Sequence, residues 1–600
     1  MVYDLKIRGA TIVDGTGEPS FSGDVAISRG VIVAVGEAPD TAYRTIDADG
    51  TLLTPGFIDP HTHYDGQAMW DDELVQSARH GITTAILGNC GVGFAPVAPG
   101  RQDDLITLMA GVEDIPGTVL NAGLDWDWES FGDYLDRLDH RQWSIDIGAQ
   151  VTHDPVRMYV MGERALSREI ATEDDIARMR QLVSAALGAG AFGFSTGRND
   201  AHRMADGRDT PASIAGAREL TAIAQCLRDH DYRVLQITSD FDQAEGPAAF
   251  DAEFALVEQM AEASGRPISL NLLQREGGGD QWRRVVERSE AALARGLDIR
   301  FQVAARGVGV LMGLTSSFHP FVAHPSFQAI ATLPLAEQVR TMRDPGFRTR
   351  LLAEAPVPYA GKGNAAPAFF DQLLGDMDRY AARIFPDRGV PDFEAGHDRS
   401  LQAEARRRGI SAVEAVYDAL LDRDGHALLY LPIFNYGGGN LDDVREMLVH
   451  PQSMIGLGDA GAHVNVITDY SYPTFALSFW PYRRKAGPGL TAERIVQLMS
   501  GAPAAHLGLN DRGVIAPGRR ADINLIDPVR LQLLQTRVAH DLPAGGQRLL
   551  QDSCGYLATL VKGVVVAEGD ELTGARPGRL LRAGKLRETA LKNTNGRLYF

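Results

Sequence analysis

Residues 56–65 read "GFIDPHTHYD", and this stretch decides how the rest of the 600-residue chain is read. The run "LLTPGFID" ahead of His61 is apolar and strand-like. On extended backbone, side chains at i and i+2 share a face. His61 and His63 therefore point the same way, with Thr62 opposed. Two imidazoles aimed at one point suit zinc or another divalent ion. The competing reading is a pair of surface histidines in a loop. If the run is a strand of a parallel barrel, the pair sits at its C-terminal mouth, where such folds build active sites.

The surrounding sequence repeats that texture. Apolar, strand-like runs recur as "TTAILGNC", "IDIGAQVTH", "AFGFSTG", "YRVLQITSD", "PISLNLLQ", "LDIRFQVAAR", "HALLYLPI" and "SMIGLGDAG". Helix-like segments separate several of them, such as "TEDDIARMRQLVSAALGAG", where Thr172 and Asp175 suit an N-terminal cap. This alternation predicts a (β/α)8 TIM barrel over residues 55–508. The stretch of about 277–407 fits poorly, with many Pro, Phe and Arg residues, and reads as a long inserted region. Both chain ends are rich in short β-branched runs broken by glycine. Neither end supplies enough strands for a core, so residues 1–54 and 509–600 are expected to join in one small β-sandwich domain.

Composition narrows the function classes. A formal net charge of -19 argues against nucleic-acid or anionic-membrane partners, which need a positive surface. Three cysteines cannot build a disulfide framework, which favours a reducing cytoplasm. The N-terminus shows no basic stretch followed by an apolar one, so no secretory signal is expected. No run approaches the ~18 apolar residues of a membrane span.

Other residues follow strand-like runs and so qualify for the same mouth. Asp459, in "SMIGLGDAGAH", is a candidate ligand and proton acceptor, against the commoner fate of Asp beside Gly as a turn or cap. Cys90 is a candidate thiolate ligand or a packed thiol. His153, His202 and His463 are candidate ligands, proton shuttles or structural histidines. Arg157, Arg198, Arg203 and especially Arg306 are candidates to bind a substrate carboxylate, or surface and interface arginines.

The sequence resembles the amidohydrolase superfamily, and within it the N-acyl-D-amino-acid deacylase (D-aminoacylase) branch. The segments that carry the resemblance are "TPGFIDPHTHYD", "GITTAILGNCGVGFAPV", "GVEDIP", "WDWESFGDYLD", "AGAFGFSTG", "GLGDAGAH" and "GVIAPGRRADINLID". The resemblance implies the barrel with a small β domain. It also implies a metal-dependent hydrolase that attacks an amide C–N bond with metal-activated water. His61, His63 and Asp459 match the metal-binding His, His and Asp, and Cys90 matches the cysteine ligand. Asp459 would also be the general base. The segments containing Glu113 and Trp128 match without assigning either a role.

One departure matters. The branch carries a metal-binding histidine at the ends of two middle strands, where this chain has Thr238 or Ser239 and Asn271. One zinc ion, or another divalent metal, is therefore expected rather than two. Replacement ligands and a degraded, inactive site stand as alternatives. The expected substrate is a small N-acyl compound, an N-acyl-D-amino acid first. A lactam, cyclic imide or other small amide is the alternative, and a non-catalytic binding protein of the same fold is a third reading. A homo-oligomer is compatible with all of these.

Overall fold

Strand Tyr3–Ile12 buries Tyr3, Leu5 and Ile7 in strict alternation, then slips register and resumes with Ala10 and Ile12. The slip falls at Gly9, whose φ of +74° a side chain would strain. The computed structural model describes residues 2–584 except 200, 242, 276–277, 361–365, 367–368, 388 and 390–391. The expected tail beyond Gly584 lies outside the described residues.

The chain ends do share a sheet. Leu52–Pro55 pairs antiparallel with Ile523–Ile526, joining N-terminal strands to C-terminal ones in one nine-stranded sheet. Leu5, Ile7, Leu53, Ile523, Leu525 and Leu560 pack together on it. The hairpin Gln532–Leu542 and Gly546–Cys554 stands apart from that sheet. Leu549 instead donates its backbone N–H to Val464 O (2.7 Å), so the hairpin braces the loop that follows Asp459.

The middle of the chain alternates strands and helices, giving mixed α/β architecture. Its parallel strands are β1 (Phe57–Asp59), β2 (Ile82–Leu87), β3 (Asp146–Ala149, continued by Val151–Thr152), β4 (Gly193–Arg198), β5 (Val234–Ser239), β6 (Ile268–Leu272), β7 (Ile299–Val303) and β8 (Ser453–Ile455). Each pairs with the next in chain order. A parallel bridge between Thr62 and Ala460 links the segments after β8 and β1. The strands are buried along nearly their whole length, as two-sided parallel strands are.

Helix Glu173–Ala189 forms as its cap residues predict. Thr172 Oγ1 accepts the Asp175 N–H, and the Asp175 carboxylate accepts the Thr172 N–H. The stretch read as inserted opens instead with helix Gln281–Ala294 and β7. The excursion proper lies between Val303 and Ser453. It contains strands Val308–Met312, Phe385–Pro386 and Leu429–Phe434 in an antiparallel sheet, with a hydrophobic core of its own.

Candidate metal centre

The backbone that carries the two histidines is fixed from both sides. Thr62 donates its N–H (3.0 Å) and its Oγ1 (2.9 Å) to Ile86 O on β2. His63 N–H donates to Ala460 O (2.8 Å), and Asp459 N–H donates to His61 O (3.2 Å). The extended path continues past β1, so His61 and His63 fall on one side with Thr62 opposed. Their ring centroids are 5.4 Å apart.

Cys90 arrives by a tight loop after β2, and its φ is +56°. Asn89 Nδ2 ties that loop to Thr62 O (3.1 Å) and Ile86 O (2.9 Å). The Cys90 N–H donates to Gln236 Oε1 on β5 (2.9 Å). Gly91, at φ +78°, lies so close to β4 that a Cβ would sit 2.6 Å from Gly197 N. The "GNCG" run therefore needs its second glycine for close approach and its asparagine for anchorage.

The side chains converge. His61 Nε2 is 3.2 Å from Cys90 Sγ and 3.4 Å from Asp459 Oδ1. His63 Nε2 is 3.8 Å from the same Asp459 oxygen. Donor atoms of His61, His63 and Cys90 all lie within 4.8 Å of one another. His61 Nδ1 donates to Gln302 Oε1 on β7 (2.6 Å), which fixes the tautomer and leaves the Nε2 lone pair facing Cys90 and Asp459.

Burial sets the electrostatics. It holds the His61 imidazole down at about 4. It also holds His63 well below its ordinary value, helped by the charges of His61, His463 and His202. Both rings are thus neutral and offer lone pairs. The same burial pushes Asp459 up to about 7. It drives the Cys90 thiol well up, with Glu113 and Asp459 adding repulsion. A divalent cation supplies the positive charge that lets such a thiol and carboxylate ionise. Two neutral imidazoles, a thiol and a carboxylate converging in this way fit a zinc-like ion.

These groups line a cavity of about 520 Å³. Thr238 and Asn271 line it too, at the ends of β5 and β6. His202 and His463 face the same cavity, and burial holds each at about 4. His153 is placed elsewhere. Its ring bonds Thr196 Oγ1 and Glu219 Oε1, both at 2.9 Å, beside the buried Arg157–Glu219 pair. The arginines are engaged as well. Arg198 pairs with Glu253, and Arg203 with Asp209. Arg306 is buried, contacts Asp469 Oδ1 (3.3 Å) and stacks 3.9 Å from the centre of the Phe393 ring.

Four residues that sequence reasoning left without a role enter here. Gln236 and Gln302 are polar interruptions of apolar strands, a visible signal that their amides face inward to partners. Glu113 had no such signal. It follows helix Gln102–Val112, is 2% exposed, and brings Oε1 to 3.1 Å from His63 Nδ1. Trp128 supports the Cys90 loop from further out, donating Nε1–H to Phe94 O (2.9 Å).

The amidohydrolase family model matches residues 44–567. The chain belongs to the amidohydrolase family. Its D-aminoacylase-like character is carried by relatives that span nearly its full length. The D-aminoacylase of Alcaligenes xylosoxydans xylosoxydans is 25% identical over 581 residues, 96% of this chain and 97% of that one. The N-acyl-D-aspartate deacylase of the same organism is 26% identical over 583 residues, 97% of this chain and 95% of that one. A crystal structure of N-acyl-D-glutamate deacylase from Bordetella bronchiseptica, complexed with zinc and a phosphonate inhibitor, shares the fold. Its TM-score is 0.62 at 22% identity, covering 97% of this chain and 100% of that one. This amidohydrolase is a metal-dependent amide hydrolase. Among its described residues no helix is long and apolar enough to cross a membrane.

Proposed function

We propose that this amidohydrolase cleaves a non-peptide amide C–N bond in a small N-acyl compound, an N-acyl-D-amino acid first, using one zinc ion. The observation that carries the reading is the convergence of His61, His63, Cys90 and Asp459 in the lining of a single cavity. His61, His63 and Cys90 would hold the ion, with Asp459 beside it. A bound divalent ion supplies Lewis acidity toward the amide carbonyl and toward water. Gln302 keeps the His61 Nε2 lone pair aimed at the cluster. Asp459 accepts the proton of the attacking water at Oδ1 and returns it to the leaving nitrogen. Thr238 and Asn271, in place of imidazoles, support a single ion.

The parallel strands are read as a (β/α)8 barrel over residues 55–508, a reading supported by the Thr62–Ala460 bridge. The described parts of residues 1–54 and 509–600 are read as one small β domain, a reading supported by the sheet that joins Leu52–Pro55 to Ile523–Ile526. The test is to load purified protein with zinc, measure metal by mass spectrometry, and follow amine release from N-acyl amino acids of both hands. About one equivalent of metal with amine release is the expected result. Protein that takes up no divalent metal, or cleaves no amide once loaded, overturns the reading.

A further inference from the structure

Strand β5 holds Cys90 twice. Gln236 and Thr238 stand two apart on that strand, so their side chains share a face. Gln236 Oε1 accepts the Cys90 N–H (2.9 Å), which settles which end of the amide is oxygen. The other end, Nε2, donates to Thr238 Oγ1 (2.9 Å). Thr238 Oγ1 lies 3.2 Å from Cys90 Sγ. The three buried residues thus close a ring on one cysteine, with Gln236 at its backbone and Thr238 at its sulfur.

The chemistry of the partners sets the direction of the last contact. A thiol has one proton to give. His61 Nε2 also lies 3.2 Å from Sγ, and the bond from Nδ1 to Gln302 leaves Nε2 with a lone pair. That lone pair is a better acceptor than a hydroxyl oxygen already engaged by Gln236. As a metal ligand the sulfur is a thiolate and has no proton to give at all. In both states, therefore, the proton between Thr238 and Cys90 is the hydroxyl's. Burial takes water's hydrogen bonds away from an ionised sulfur, and a charge-assisted donor replaces one of them. The end of β5 is fixed separately: Asn271 Oδ1 accepts the Ser239 N–H (3.0 Å), and Asn271 Nδ2 donates to Ser239 O (3.4 Å).

Resting on the single-zinc reading above, we infer that Thr238 is a positioning residue of the metal centre. Its hydroxyl donates to the Cys90 sulfur and stabilises that sulfur as a ligand beside His61 and His63. Thr238 acts on the ion only through Cys90.

The test uses the full chain, stripped of metal and reloaded with zinc or with cobalt(II). Thr238→Val removes the hydroxyl at nearly constant shape, and Thr238→Ser restores it. Zinc affinity, measured by chelator competition, should fall by about 10- to 100-fold in Thr238→Val and return in Thr238→Ser. The sulfur-to-cobalt charge-transfer band should move to longer wavelength in Thr238→Val, because the sulfur electrons lose a hydrogen bond that lowered their energy, and should return in Thr238→Ser. Loss of packing alone does not move that band. If Thr238→Val fails to fold, Thr238→Ala is read in the same way. An unmoved band or an unchanged zinc affinity in the folded variant overturns the inference, and so does a parent that binds cobalt without a sulfur band. A parent that shows the band yet cleaves no amide ends the hydrolase reading alone, and the band and the affinity still decide the role of Thr238. A parent that binds no divalent metal overturns both.

Discussion

His63 Nδ1 lies 3.1 Å from Glu113 Oε1, and both side chains are 2% exposed. Burial pushes the Glu113 carboxyl well above its usual range, with the charges of Asp459 and Asp65 adding to the rise. A carboxylate beside the second nitrogen of a ligating imidazole orients the ring and raises its basicity. Glu113→Gln keeps the shape and removes the charge. Its expected effect is a loss of about 10- to 100-fold in zinc affinity, measured by chelator competition. Unchanged affinity would leave Glu113 a packing residue only.

Asp459 occupies left-handed backbone, with φ +47°. Asparagine tolerates that region well, whereas most residues are strained there. Asp459→Asn should therefore keep the fold while removing the proton acceptor. Turnover of the best substrate should fall by about 100- to 10,000-fold, with the unfolding midpoint close to that of the parent. Near-parental turnover in this variant would remove Asp459 from the mechanism.

How far the site was legible depended on how local each signal is. The i, i+2 spacing of His61 and His63 and the approach to Asp459 from an apolar run are written in a few consecutive residues. So is the Thr172–Asp175 cap. Glu113 meets His63 across fifty residues of chain, and no local pattern encodes that. The arginines show the same limit. Arg157, Arg198 and Arg306 each follow a strand-like run and read locally as free cations. Their partners Glu219, Glu253 and Asp469 are distant in the chain, and only the fold brings each pair together. Hairpin 532–554 reads locally as part of a terminal β domain, yet its packing against Val464 is a tertiary choice. The start of the excursion was hidden because "QWRRVVERSEAALARG" carries so much charge that its buried stripe of Trp282, Val285, Ser289 and Ala292 is hard to see.

Cys90 Sγ stands 3.2 Å from both His61 Nε2 and Thr238 Oγ1. Cys90→Ser preserves size and the contact with Thr238 but replaces a thiolate donor with a poor one. Zinc affinity should drop at least about tenfold while thermal stability holds. Retained metal with reduced stability would instead identify a packed thiol.

The last prediction concerns pH and lies away from the metal. His80 is fully buried, with Nδ1 bonded to Thr474 Oγ1 (2.7 Å) and Nε2 to Gln551 O (2.9 Å). Burial holds its pKa at about 4 in the folded chain, against 6.5 ordinarily. Between those values the unfolded chain binds the extra proton, so stability rises with pH across the window. It is complete above about 6.5 and is lost as pH falls toward about 4, by roughly 3 kcal/mol at most. His80→Gln can keep both hydrogen bonds without titrating. Urea unfolding of parent and variant at several pH values should give the parent the steeper slope in this window, by up to about one proton. Parallel curves would show that His80 binds its proton equally in the folded and unfolded chain, and would assign the acid sensitivity to other groups.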